Sequence, residues 1–190
     1  MMGRDKKFST HDLWQATHEL IVETGYQGFT MSLLAAKLHV SRAAIYKHYP
    51  NKEELLIDFM VEKMRYSVTL LSEIDFTQSF EHQLRDLLER MFQLKDLHQI
   101  LGMASTIEDV SPVITEKKQV LSAMHHELYT PLNQLITKGK EQGFIDPARN
   151  NFLLLGFIFQ TIDIPNHAGL PLDTFIAEIQ ALILHGISNK

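Results

Sequence analysis

The stretch SRAAIYKHYPNKEELL, Ser41–Leu56, decides the fold. Ser41 opens a helix, because its hydroxyl accepts a hydrogen bond from an orphan backbone N–H of the first turn. Pro50 has no N–H and pushes Tyr49 out of helical geometry, so this helix spans about two turns. Asn51 then caps another helix, with Glu54 placed as its capping-box partner. A helix of two turns is not stable alone in water, so it must dock on its neighbours. Ile45 and Tyr49, one turn apart, supply the docking stripe, which leaves the pairs Arg42/Tyr46 and Ala43/Lys47 for another surface.

Upstream, Ser9 caps a helix whose Leu13, Ala16, Thr17, Leu20 and Thr24 recur at helical spacing and which stops at Gly25. Thr30 caps a short helix running through Leu34 and Ala35 to Leu38. That helix and the next, joined by Leu38-His39-Val40-Ser41, have the spacing of a helix-turn-helix, with small Ala35 at the crossing. Downstream, the apolar face Leu55, Leu56, Phe59, Met60, Met64 continues a fourth helix toward residue 70. Further helices are expected from Ser79 to about Gly102, and from about Val113 to Gln142 with an interruption and bend at Pro131. Asp146-Pro147 is expected to start the next, reaching about Ile164, and residues 171–187 the last. The predicted fold is all-α, with about nine helices.

The chain has 190 residues, 45% hydrophobic and 22% charged, with no cysteine. Disulfides and thiolate metal sites are therefore excluded, and a cytoplasmic location is expected. The longest apolar run, FLLLGFIF at Phe152–Phe159, falls short of the roughly 20 residues of a membrane span. Net charge is −5, yet residues 1–52 hold seven Lys/Arg (Arg4, Lys6, Lys7, Lys37, Arg42, Lys47, Lys52) against four acids. A local +3 therefore sits on a remainder of −8, a basic module on an acidic body.

Two cations, a phenol and two small alanines on one short helix suit a duplex groove. Arg and Lys donate to guanine edges, Ala meets a thymine methyl, and Tyr reaches phosphate. Lys52 lies in a helix first turn, where acids are preferred, and a phosphate partner would explain it. The bland alternative leaves Lys47 and Lys52 as solvated surface residues.

The run GFTMSLLAAKLHVSRAAIYKHYPNKEELL, Gly28–Leu56, resembles the N-terminal DNA-binding region of TetR-type (TetR/AcrR) transcriptional regulators, within a match from roughly Ser9 to Leu56. The resemblance implies that Ser41, Arg42, Ala43, Ala44, Tyr46, Lys47 and His48 face an operator, and that Thr30 and Lys52 grip flanking phosphates. It implies a DNA-binding domain over 6–66 and a regulatory domain, for ligand binding and dimerisation, over 67–190. His39 departs from the glycine usual in that turn, where φ > 0 is easily reached. The resemblance also implies a homodimer through the last two long helices, on palindromic double-stranded DNA, most simply as a repressor released by a small-molecule effector.

Met60, Met64, Met91, Phe92, Met103, Met124 and Phe157 could line an adaptable apolar effector pocket, or simply fill the core. His98 and the adjacent His125-His126 do not make a metal site, because neighbouring helical residues face apart and no thiol or carboxylate pair completes the set. No cofactor is expected. No nucleophile–base constellation or phosphate loop appears, so an enzyme is not expected. Two rivals remain: a protein-binding adaptor that uses DNA as a platform, and an all-α enzyme acting on a small apolar molecule.

Overall fold

A computed structural model describes residues 8–186. Lys6 and Lys7 at the start of the expected DNA-binding domain, Arg4 of the basic module, and residue 187 of the expected last helix lie outside the described residues. Among the described residues are nine α-helices and no strand, as the periodicity predicts. They are α1 Thr10–Gly28, α2 Met31–Lys37, α3 Arg42–Tyr46, α4 Lys52–Ser72, α5 Phe80–Gln93, α6 Lys95–Gly102, α7 Pro112–Glu141, α8 Asn151–Gln160 and α9 Leu172–His185. None is long and apolar enough to cross a membrane.

The predicted caps form. Ser9 and Asp12 exchange both bonds of a capping box at α1. Thr30 Oγ1 accepts from the Leu33 N–H at 3.2 Å, Ser41 Oγ from Ala44 at 3.2 Å, and Asn51 Oδ1 from Glu54 at 2.7 Å. Gly25 interrupts α1 with φ 65° and ψ 179°, a backbone region almost restricted to glycine, and one further turn runs to Gly28.

Three expectations are corrected. The helix from Ser79 to Gly102 is two helices, broken at Leu94, whose N–H is shared between the carbonyls of Arg90 and Met91. No Gly or Pro marks that break, and Leu94 is buried, so tertiary packing sets it. The helix α7 runs through Pro131 without interruption; a proline removes one ladder bond, and the helical residues on either side carry the rest. Asp146-Pro147 starts no helix. Asp146 instead accepts from the Ala148 N–H with its side chain and from Arg149 with its carbonyl, closing a turn, and Asn150 caps α8. A cap and a turn use the same Asx chemistry, so the dipeptide marks either.

The chain divides into two compact units: residues up to Arg65 with Asp96–Ala123, and Tyr66–Lys95 with residues from Met124 on. The first is built on fully buried Ile21, Phe29, Leu34, Ile45, Leu55, Leu56 and Phe59. In the second, α5 packs on α9, where Phe92 meets Phe175 edge-on at 5.7 Å and Arg85 pairs with Asp173. On α8, Leu155 and Ile158 are buried while Phe152, Leu153 and Phe157 are exposed.

Candidate nucleic-acid interface

Five residues cannot hold a helix by their own hydrogen bonds, and α3 is held by Ile45. Ile45 is completely buried, as is Leu34 of α2, with Ala35 almost so, and burying one such aliphatic side chain contributes about 1.5–3 kcal/mol. The turn from α2 to α3 is a Schellman closure. The His39 N–H donates to the Ala36 carbonyl at 3.1 Å and the Val40 N–H to Ala35 at 3.0 Å. This requires a left-handed residue just past the helix, and His39 takes it with φ 55°, the one non-glycine residue with positive φ among those described. The turn therefore keeps the geometry that glycine would give, at some strain.

Once Ile45 is docked, the opposite side of α3 stands in solvent. Ser41, Arg42, Ala43, Tyr46, Lys47 and His48 are exposed, Ala44 half-buried, and Thr30 at the head of α2 exposed. The Arg42 guanidinium lies 5.8 Å from the centre of the Tyr46 ring, and His48 packs edge-on to Phe8 at 5.6 Å. The hydroxyls of Thr30 and Ser41 accept cap bonds, so each hydrogen remains available to a phosphate oxygen. Cations, small side chains and hydroxyls thus share one exposed patch.

Lys52 differs from Lys47. It is half-buried, its ammonium 4.4 Å above the Tyr26 ring centre, and it donates to the Tyr26 carbonyl at 3.4 Å. Burial, with Glu53 nearby, raises the Tyr26 phenol above its ordinary pKa and keeps it protonated. Tyr49 turns inward, its ring 6.1 Å from Trp14 and its hydroxyl donating to Asp58 Oδ2 at 2.8 Å. Tyr26 and Asp58 were not legible from local spacing, being 26 and nine residues from the side chains they hold.

The residues expected around an effector fall in both units. Met60 and Met64 are buried and Met103 half-buried in the first; Met91 and Phe92 are buried and Met124 half-buried in the second. Phe157 is 59% exposed on α8. His98 is half-buried, while His125 and His126 are exposed and both pack near Tyr129. Among the described residues no three His, Asp or Glu side chains are grouped to hold a metal.

Residues 13–59 match the family described as bacterial regulatory proteins, tetR family. The fatty acid metabolism regulator protein of Bacillus subtilis is 25% identical over 182 residues, covering 92% of this chain and 93% of that protein. The nucleoid occlusion factor SlmA of Idiomarina loihiensis is 30% identical over 117 residues, 60% of this chain and 52% of that one. The same fold occurs in the crystal structure of the transcriptional regulator FadR from Bacillus subtilis in complex with stearoyl-CoA. Its TM-score is 0.69 at 23% identity, over 95% of this chain and all of the other.

Proposed function

We propose that the chain is a DNA-binding transcriptional regulator of the tetR type, a reading that the match over residues 13–59 and the Bacillus subtilis relative support. Thr30, Ser41, Arg42, Ala43, Ala44, Tyr46, Lys47, His48 and Lys52 are its DNA-contacting residues. A dimer places two copies of α3 in successive major grooves of a palindromic operator, with half-sites about one helical turn apart or a multiple of it. The observation that carries this reading is the exposed Arg42, Ala43, Tyr46 and Lys47 around buried Ile45, in a turn closed by a left-handed His39. Residues 6–66 hold the DNA and 67–190 the partner subunit and effector, with α8 and α9 forming the subunit contact. The protein works in the cytoplasm, where its DNA is.

We further propose that it is a repressor whose effector is a long-chain acyl thioester. The similar Bacillus subtilis protein regulates fatty acid metabolism, and the FadR structure sharing this fold holds stearoyl-CoA. An acyl chain needs an apolar, adaptable lining of the kind that Met91, Phe92 and Met124 of the second unit provide. Release requires only that the thioester bind the DNA-incompetent state more tightly than the competent one. The likeness to a nucleoid occlusion factor favours a second reading, in which DNA is a platform for a protein partner.

Selection of duplexes from a random pool by the intact protein tests these readings. A recovered palindrome with discrete half-sites, released by stearoyl-CoA together with a rise in melting temperature, is the expected result. Salt-dependent binding to every duplex alike would refute sequence-specific regulation. A recovered palindrome that acyl thioesters do not release would refute the effector class alone.

A further inference from the structure

Asp58 stands in a run of α4, Leu55–Met60, whose other five members are completely buried. A carboxylate at the edge of such a core is costly unless hydrogen bonds and a counter-charge hold it. Both are present. Asp58 Oδ2 accepts from the Tyr49 hydroxyl at 2.8 Å, and Oδ1 accepts from Lys117 Nζ at 2.6 Å. The two donors come from places far apart in sequence. Tyr49 lies three residues beyond α3 and its N–H donates to the Ile45 carbonyl, so its position is tied to the residue that docks α3. Lys117 lies near the start of α7, within the same compact unit as α3 and α4.

Beside this relay is a cavity of about 340 Å³, bounded by Leu13, His48, Tyr49, Asp58 and Lys117 among others. In a close-packed interior, loss of one hydrogen bond would leave a ring where packing holds it. Tyr49 borders this open space; its ring leans on Trp14, and the bond to Asp58, whose other oxygen Lys117 holds, fixes its hydroxyl.

We propose that Lys117 and Asp58 are positioning residues for DNA recognition: the Lys117–Asp58–Tyr49 relay, anchored on α7, sets the angle at which α3 meets the groove. Neither side chain lies on the exposed face of α3. Each acts through Tyr49, and a displacement of α7 that breaks the ion pair changes DNA affinity without touching a DNA-contacting residue. The proposal rests on the assignment of α3 as the DNA-reading helix.

The test uses the full chain and the duplex that it selects. Lys117→Met should lose about tenfold in affinity, the size of coupling usual for groups in one network. Its salt dependence should keep the parent slope, because no phosphate contact is removed. Lys117→Arg should restore binding, and Tyr49→Phe, which removes a single hydroxyl, should reproduce the loss. Asp58→Asn combined with Lys117→Met should cost less than the two single losses together, because both changes break one relay. Lys117→Met and Tyr49→Phe binding like the parent would overturn the proposal, as would a slope lowered by about one unit for Lys117→Met, the mark of a direct phosphate contact. Lys47→Ala, measured alongside, separates the two levels. If Lys47→Ala weakens binding while the relay variants do not, the relay fails and the reading of α3 stands. If no variant, Lys47→Ala included, alters binding, both fail.

Discussion

Around α3 the exposed side chains include Arg42, Tyr46, Lys47 and His48, set about buried Ile45; on α8 the large exposed side chains include the apolar Phe152, Leu153 and Phe157, set about buried Leu155 and Ile158. The two helices are alike in docking through a narrow apolar stripe and opposite in what they leave uncovered. Solvated cations cost little in water, so the α3 face is stable with or without DNA. Three large apolar side chains on one helix are different, since covering each is worth about 1.5–3 kcal/mol. One surface suits a partner that comes and goes with salt and effector, and the other suits a partner that stays.

The largest effect should therefore come from α8. Leu153, 73% exposed in the single chain, is a site where a charge would be harmless in a monomer and unpaired in a dimer contact. Leu153→Glu should sediment at the mass of one chain at micromolar concentration. Its affinity for a palindromic duplex should fall by about a hundredfold or more, because the second half-site no longer binds at high effective concentration. A variant that sediments at twice the chain mass and binds like the parent would erase the distinction between the two surfaces.

Next in size are two lysines, Lys47 just beyond α3 and Lys52 at the start of α4, which divide into two kinds. Lys47 is exposed one turn beyond Ala43, so Lys47→Ala should cost roughly 1–3 kcal/mol and relax preference at one position of each half-site. Lys52→Ala should weaken all duplexes alike and lower the salt slope by about one unit for each phosphate left without its ammonium. Lys52 also covers the Tyr26 ring, so its alanine variant should melt slightly lower, by the roughly 0.5–1 kcal/mol of a partly exposed cation–π interaction. Titrating each variant against single-base changes of the duplex, at several salt concentrations, separates the two signatures. Identical profiles for both would mean that α3 does not read bases.

What was legible in the sequence is what is local. Ser9, Thr30, Ser41 and Asn51 each act on backbone groups within three residues, so the order and starts of the first four helices follow from neighbouring side chains. The docking role of Ile45 follows from spacing alone. The break at Leu94 carries no local signal, because buried packing makes it. Asp146 carries a signal with two meanings, and the chain uses it for a turn. At the candidate site the exposed face was legible, while the bonds that orient it were not. Lys52 on Tyr26, and Asp58 between Tyr49 and Lys117, join side chains that no periodicity brings together.

His39 gives the smallest effect and the sharpest measure of strain between the two halves of the reading head. At φ 55° a side chain is crowded by its own backbone, which costs about 1–2 kcal/mol for an ordinary residue and less for histidine. Glycine removes that strain but leaves a looser unfolded chain, which offsets about 0.4–1 kcal/mol of the gain. His39 is exposed, so little packing is lost with its ring. The strain is the larger quantity, and His39→Gly should stabilise the protein slightly, by up to about 1 kcal/mol, or up to about 4 °C in melting temperature for a chain of this size. The Schellman bonds at Ala35 and Ala36 are made by backbone groups that glycine keeps, so α3 should hold its angle and affinity for the selected duplex should stay within about twofold. A lower melting temperature would show that the histidine side chain makes a favourable interaction outweighing its backbone strain. A loss of affinity at unchanged stability would instead make His39 itself part of the DNA-facing surface, beside the cations of α3.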